Sequence, residues 1–430
     1  MKALHALRRP TVGWAFRCWL AVLLVAALTA CGGGGGGDGG TPTVDGGTSA
    51  ATASTFPTLP TVAIPAPAPN VLQVVLDRGP QGSAFNTPFV SVTLCVPGTE
   101  VCQTLDHIVL DTASHGLRVI ASALRPELAL PAVTVAATAG AAPLPAAECM
   151  PFASGYAWGS LRKADLAMAG ERAAGMTIQV IGDRSAPYAT VPAACTRNGR
   201  NLAGLLDANG ILGVGPQKLD CGAACATSAS PSVYFACGTG GCTSTRMTLE
   251  AQVANPVPSL PVNNNGLMVV LPQVPIGGTG PTVGAVVFGV GTQANNQIGT
   301  ATVIGLDPQG FFTTQYKGVA YAAFLDTGSN GIYFPDAQLA TCGGLYCPIL
   351  PAPRSATITS ALGASAAIDF LVDSPFWLIP EAAAAHLGGS DGAPLSLLFN
   401  WGLPFFFGRA VHLAIQDATT PAGRGPYWAF

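Results

Sequence analysis

Charge is what this 430-residue chain has least of: Asp, Glu, Lys and Arg together make up 10% of it, against about a quarter of an ordinary soluble domain. Its 19 Lys and Arg are outnumbered by 22 Asp and Glu. The basic footprint of a nucleic-acid-binding surface is therefore missing, and no nucleic acid is expected as a partner. Aromatics are also scarce, at 7%. Unbroken stretches of helix formers are lacking, because 53 Gly and 36 Pro interrupt them, and this excludes a helical bundle. No pair of cysteines has the Cys-x-x-Cys spacing, so the usual zinc pattern is missing and neither metal nor cofactor is expected. What the chain does have is 49% hydrophobic residues, enough apolar surface to offset chain entropy. A Gly- and Pro-punctuated, mostly β globule remains.

The N-terminus reads as an address. Lys2, Arg8, Arg9 and Arg17 precede an apolar run at 19–30 that is twelve residues long, short of the roughly twenty a membrane span needs. A basic start before a short apolar core is a secretory signal. It ends Leu28-Thr29-Ala30-Cys31, which resembles the bacterial lipoprotein cleavage box. That resemblance implies that 1–30 is removed, that Cys31 is lipidated, and, with Gly32 next, that the protein goes to the outer membrane of a bacterial cell envelope. Without residues 1–30 the chain keeps 15 basic against 22 acidic residues, a net charge of −7. Residues 31–69, rich in Gly, Thr, Ala and Pro, read as a tether. Ten cysteines remain after Cys18 and Cys31, an even number that in an exported chain suggests disulfides. Cys95–Cys102 and Cys342–Cys347 are spaced as local staples. Cys149 with Cys195 is a further candidate, and Cys221, Cys225, Cys237 and Cys242 can pair in three ways.

From residue 70 onward, short apolar runs alternate with turn residues. Asn70–Asp77, Phe89–Val96, His107–Leu110, Thr177–Ile181, Ala285–Val290, Thr302–Leu306 and Val319–Leu325 are predicted strands. Pro335–Ala340 and Pro380–Leu387 are the best helical stretches. One pattern occurs twice. His107–Val119 reads HIVLDTASHGLRV and Ala322–Phe334 reads AAFLDTGSNGIYF. Aligned without gaps, they share Leu, Asp, Thr, Ser and Gly, which suggests two similar lobes.

The repeated motif has a definite chemistry. An apolar strand ends in a carboxylate, and the chain then turns tightly. Two such turns facing each other bring two carboxylates together, and like charges that close share one proton. The ionised member can then take a proton from water while the protonated one donates to a substrate carbonyl. Asp111 and Asp326 are the candidate pair, with Thr112, Ser114, Thr327 and Ser329 placed to orient it.

These residues resemble a pepsin-like aspartic peptidase, in a lipoprotein setting. Further segments fit in order. Phe89–Leu110 resembles the hairpin leading to the first catalytic turn. Tyr156-Ala157-Trp158-Gly159-Ser160 resembles the flap, with Tyr156, Gly159 and Ser160 over the substrate. Asn209–Gly215 and Asn400–Phe407 resemble the apolar-apolar-Gly strands that thread each turn. The resemblance implies a bilobal double-ψ barrel pair with a central cleft, lobes at 70–255 and 256–430 divided near Asn255–Pro261, and an endopeptidase acting on extended peptide. A monomer is expected. Two departures stand out: Ala113 where the family has Gly, and Arg118 where it commonly has Trp. Residues 32–77 carry no Lys or Arg, so no basic propeptide is expected. The alternative is a non-catalytic binding lipoprotein of the same fold, with a protein or glycan in the cleft; a purely structural envelope protein is a third reading.

Other features carry less. Asp106, His107 and Ser114 invite a serine-hydrolase triad, but Gly-x-Ser-x-Gly is absent around Ser114. Gly289-Val290-Gly291 and Gly238–Gly241 resemble phosphate loops yet open no helix. Phe405-Phe406-Phe407 reads as core strand, Phe311, Phe312 and Tyr316 as cleft lining or lobe packing, and Asp207 and Asp220 as solvated turn residues.

Overall fold

The run before Asp111 is apolar at consecutive positions rather than alternate ones, the pattern of a strand covered on both faces. The computed structural model describes residues 61–136, 142–361, 363–390 and 397–430; the signal segment 1–30, Cys31 and most of the tether lie outside the described residues. The main strands of lobe one are β1 (Val71–Leu76), β2 (Pro88–Cys95), β3 (Cys102–Asp111), β4 (His115–Ile120), β5 (Leu144–Phe152), β6 (Gly155–Met168), β7 (Glu171–Ile181) and β8 (Gly210–Val214). β3 is antiparallel to β2 and parallel to β8. After the turn, β4 runs back antiparallel to β8 and parallel to β7. β8 thus lies between the strand entering the turn and the strand leaving it, and its own run is buried throughout.

The chain then returns to β1. β9 (Gly266–Val270) and β10 (Thr282–Phe288) form an antiparallel pair, and β10 pairs along the whole of β1. Lobe two continues with β11 (Phe312–Tyr316), β12 (Val319–Asp326), β13 (Ile332–Tyr333), β14 (Gly388–Gly389) and β15 (Leu398–Gly402). β12 is antiparallel to β11 and parallel to β15, while β13 is antiparallel to β15 and parallel to β14. These are the four pairings of lobe one in the same order. Finally β16 (Ala410–Ala414) and β17 (Tyr427–Ala429) pair with each other beside β9. The protein is therefore mostly β, with two similar lobes. A sixteen-stranded sheet carries the first and runs through β1, β10, β9, β16 and β17; a nine-stranded sheet carries the second turn.

The two interiors are filled differently. Lobe two packs a ring cluster: Phe334 stacks on Phe399 at 5.2 Å, and Phe399 lies 4.6 Å from Trp401. Lobe one is mainly aliphatic around β3, β4 and β8, and it holds four of the five disulfides. Cys95–Cys102, Cys149–Cys195, Cys221–Cys225, Cys237–Cys242 and Cys342–Cys347 are all formed. The four-cysteine cluster is thus two local staples, with no thiol left for zinc. Contacts make Ser54–Phe430 one compact unit by itself.

Several sequence expectations are corrected. Pro335–Ala340 is a turn, not a helix, because Asp336 is buried and its side chain is held by Lys317 and Arg354. Pro380–Leu387 is a run of bends, turns and isolated bridges, buried from Ala382 onward; Ala383 exchanges backbone hydrogen bonds with Thr279, and the Ala384 N–H donates to Asn86 Oδ1 at 2.7 Å. The short helix lies earlier, at Pro375–Leu378. Phe405–Phe407 is core, as expected, but through a 3-10 turn at Leu403–Phe406 rather than a strand. The end of the tether is packed: Val62 and Ile64 lie against the Met268, Val270 and Val287 cluster. Asn255 and Val257, at the expected boundary, are buried too.

Candidate active site

Each turn is positioned by a strand pairing and permitted by a glycine. Asp111 ends β3 opposite Gly213, and Asp326 ends β12 opposite Gly402. A methyl on Gly213 would lie 2.5 Å from the His115 nitrogen, and one on Gly402 would lie 2.0 Å from the Gly331 oxygen. Both contacts are with the backbone of the passing turn, which cannot yield. This is the steric reason for an apolar-apolar-Gly strand beneath each turn.

The turns are tied to each other symmetrically. The Thr112 N–H donates to Thr327 Oγ1 at 3.1 Å, and the Thr327 N–H donates to Thr112 Oγ1 at 3.0 Å. Each hydroxyl then donates across to the other lobe, Thr112 to the Leu325 carbonyl and Thr327 to the Leu110 carbonyl, at 3.1 and 2.6 Å. All four groups are buried, so leaving any of them unpaired would carry a desolvation cost. The lobes are locked at the floor of the site.

Two carboxyl groups meet above this lock. A Cβ built on Gly328 would lie 3.0 Å from Asp111 Oδ1 and 3.1 Å from Asp326 Oδ1, so these oxygens are no more than about 6 Å apart. Asp111 Oδ1 accepts the Ala113 and Ser114 N–H groups at 2.8 and 3.2 Å, and Oδ2 accepts the Ser114 hydroxyl at 2.5 Å. Asp326 Oδ1 accepts the Gly328 N–H at 2.8 Å, and Oδ2 accepts Ser329 Oγ at 2.5 Å. The serines thus hold one oxygen of each pair, and the other two border the same space beside Gly328. Burial, and then the charge of Asp111, push the Asp326 carboxyl up to about 7. Both Asp residues are buried, at 7% and 8% exposure.

One residue of the site escaped the sequence reading. Asn400 on β15 donates to Asp326 Oδ2 at 3.2 Å and to Ser329 Oγ at 2.8 Å. It lies two residues before Gly402, where lobe one has Ile211 two before Gly213. The amide therefore supports one turn only, and its place beside the threading glycine was the available signal.

Tyr156, Gly159 and Ser160 lie on β6, in the hairpin with β5, and their contacts are with lobe one. Tyr156 packs with Trp158, Tyr188 and the Cys149–Cys195 disulfide. Gly159 is needed where Val180 crosses, since a Cβ there would lie 1.8 Å from the Val180 oxygen. Ser160 donates to Asp183 Oδ2 at 2.6 Å, beside Arg162. Phe152, next to the hairpin tip, packs on the cluster of Phe89, Val109 and Ile211. Val109 and Asp111 are two apart on β3 and share a sheet face, so the hairpin tip covers the face that carries Asp111. A cavity of about 740 Å³ lined by Ile120, Trp158, Asp183 and Tyr188 opens at the other end of β4, about 13 Å along the strand from the level of Asp111 at strand rise.

The competing triad is not assembled. His107 pairs with Asp77 and Asp106 at 3.2 and 3.3 Å, while Ser114 is turned to Asp111. The Asp220 side chain is buried rather than solvated, and Asp207 is drawn into the 81–83 turn by Gln81 and Ser83.

A family model described as "Protein of unknown function (DUF3443)" matches residues 66–430. The chain belongs to this family. No curated protein matches the sequence. Among solved structures, this DUF3443 chain is similar to the aspartic proteinase from Irpex lacteus, with 14% identity, a TM-score of 0.49, and coverage of 84% of this chain and 96% of that one.

Proposed function

We propose that the protein is an aspartic endopeptidase, a hydrolase of extended peptide segments, anchored by a lipid on Cys31 to the outer membrane. The observation that supports the catalytic reading is that two buried carboxyl groups each bring an oxygen to within about 3 Å of one point beside Gly328, over a crossed threonine lock. Asp326 is the protonated member and Asp111 the base. Asp111 takes a proton from water as the water oxygen attacks the peptide carbonyl carbon; Asp326 gives its proton to the carbonyl oxygen. The tetrahedral diol then collapses, the C–N bond breaks, the leaving nitrogen takes the proton held by Asp111, and Asp326 recovers its own. Thr112, Thr327, Ser114 and Ser329 keep the plane of the pair. Five disulfides support an exported setting.

A binding role of the same cleft has one observation in its favour. The hairpin tip is pinned: the Tyr156 N–H donates to the Arg200 carbonyl at 2.8 Å, and the Cys149–Cys195 disulfide fixes the strand beside it. A fixed cover suits retention of a ligand better than turnover.

Protein lacking residues 1–31 is expected to cleave a denatured protein at acid pH, and Asp326→Asn to abolish this by roughly 10²–10⁴-fold. Cleavage that survives the substitution overturns the dyad reading; retention of peptide by a protein that never cleaves selects the binding role. For the anchor, Cys31→Ser is expected to release the protein from membranes, and continued retention overturns lipidation.

A further inference from the structure

Behind the first turn lies a cluster of charge with almost no access to water. The side chains of Arg118 on β4, Glu148 on β5 and Asp220 after β8 are all buried. One guanidinium nitrogen, Nη2, donates to Glu148 Oε1 at 2.8 Å and to Asp220 Oδ2 at 3.1 Å; the other, Nη1, donates to the His115 carbonyl at 2.7 Å. The Tyr234 hydroxyl donates to Asp220 Oδ1 at 2.6 Å and accepts the Val253 N–H. The Phe152 ring lies 5.8 Å from the guanidinium carbon. Arg118 therefore touches the hairpin at both Glu148 and Phe152, and the Asp111 turn at His115, the residue after Ser114.

The arithmetic of this cluster is unbalanced. Two acids face one cation, and of four carboxyl oxygens one, Glu148 Oε2, has no donor among the described residues. The remaining titratable neighbour adds no positive charge, because burial, and then Arg118, hold the His115 imidazole down to about 4. An unpaired buried anion costs several kcal/mol, and a single proton on the acid pair removes it. Consistent with this, burial, and then the Glu148 charge, hold the Asp220 carboxyl well above the usual range.

We propose that Arg118 is a positioning residue that ties the Asp111 turn to the hairpin across it, through a Glu148–Asp220 pair that shares one proton. The functional part rests on the dyad reading; the proton-sharing part does not. A carboxyl raised in the folded state contributes stability that is full below its unfolded value of about 4 and is lost as pH rises through the folded value. The tie is thus complete in acid and slackens on the alkaline side, when two anions face one arginine.

The test uses the chain without residues 1–31, in an Asp326→Asn background so that the dyad's own titration is removed. The melting temperature is followed from pH 5 to pH 8 for this parent, for Glu148→Gln and for Asp220→Asn. Either amide makes the cluster neutral without a shared proton, so the alkaline fall of the parent is expected to flatten in both. Curves parallel to the parent's overturn proton sharing. Should one variant not fold, the other decides, and hydrogen exchange of segments 114–118 and 148–156 gives a second readout: both are expected to loosen together in the parent at pH 8. Independent loosening overturns the tie. With Asp326 intact, Arg118→Lys is expected to lower kcat about tenfold or more with KM little changed; unchanged kcat overturns the positioning role. If the parent enzyme cleaves nothing, the dyad reading fails while the melting and exchange measurements still decide the cluster.

Discussion

The two aspartate turns are nearly the same object on unlike foundations. Each has the strand, the threading glycine, the crossed threonine and the serine on Oδ2. Behind Asp111, however, stand a buried ion cluster and a disulfide-stapled hairpin; behind Asp326 stand Asn400 and a ring cluster of Phe334, Phe399 and Trp401. The turn geometry is shared because local sterics and the lobe-to-lobe lock are shared, while the support behind each turn is built from different residues. What differs is the material directly behind each turn: covalent and ionic ties behind Asp111, an amide and large apolar rings behind Asp326.

Removing covalent ties should break the lobes apart in stability most strongly. Cys149–Cys195 closes a separation of 46 residues and Cys342–Cys347 one of 5. On the chain-entropy account their removal costs about 4 and about 2 kcal/mol respectively. Denaturant unfolding of the paired Cys→Ser variants measures both, and equal costs would mean that lobe one does not lean on its staples.

That asymmetry was only partly legible in the sequence. The repeated Asp-Thr-(Ala or Gly)-Ser segments and the glycines at 213 and 402 could be read because each is forced by its immediate neighbours. The partners Arg118, Glu148 and Asp220 could not, since they are 30 and 102 residues apart and nothing in a turn-rich stretch marks an acid as buried. Pro380–Leu387 reads as helix by its alanines, but its backbone groups are claimed by Thr279 and Asn86, far away in the chain. Local rules carried the turns; tertiary partners decided the rest.

A second difference concerns pH within lobe two itself. Asp336 has a fully buried carboxyl that receives Lys317 Nζ at 2.5 Å, Arg354 Nε at 2.7 Å and the Tyr316 hydroxyl at 2.7 Å. Burial alone would raise it, but Lys317, then Arg354, outweigh burial and hold it down to about 2. Its contribution is present above pH 4 and is lost as pH falls toward 2, on the order of 2 kcal/mol. Asp326 runs the other way: raised to about 7, it favours the folded state in acid and loses that contribution as pH rises through 7. Asp336→Asn should therefore flatten the acid limb of the melting temperature and leave the alkaline limb alone. An acid limb unchanged by the substitution would remove Asp336 from the account.

The smallest change in stability tests the turns themselves. Ala113 holds in the first turn the place of Gly328 in the second: each N–H donates at 2.8 Å to Oδ1 of its own aspartate. A methyl on Gly328 would press on both carboxyl groups at 3.0 and 3.1 Å, a contact that a shift of a few tenths of an ångström relieves at a cost of about 1 kcal/mol. That shift falls where a shared water would sit. Gly328→Ala is thus expected to melt almost normally yet lose cleavage, whereas Ala113→Gly gives both turns the same residue and should raise kcat for about 0.4–1 kcal/mol of lost stability. Gly328→Ala with full activity would show that the space bordered by the two Oδ1 atoms is not where the chemistry happens; loss in that variant together with gain in Ala113→Gly would place the rate under the control of this gap, and make the alanine of the first turn the reason the two halves are not equivalent.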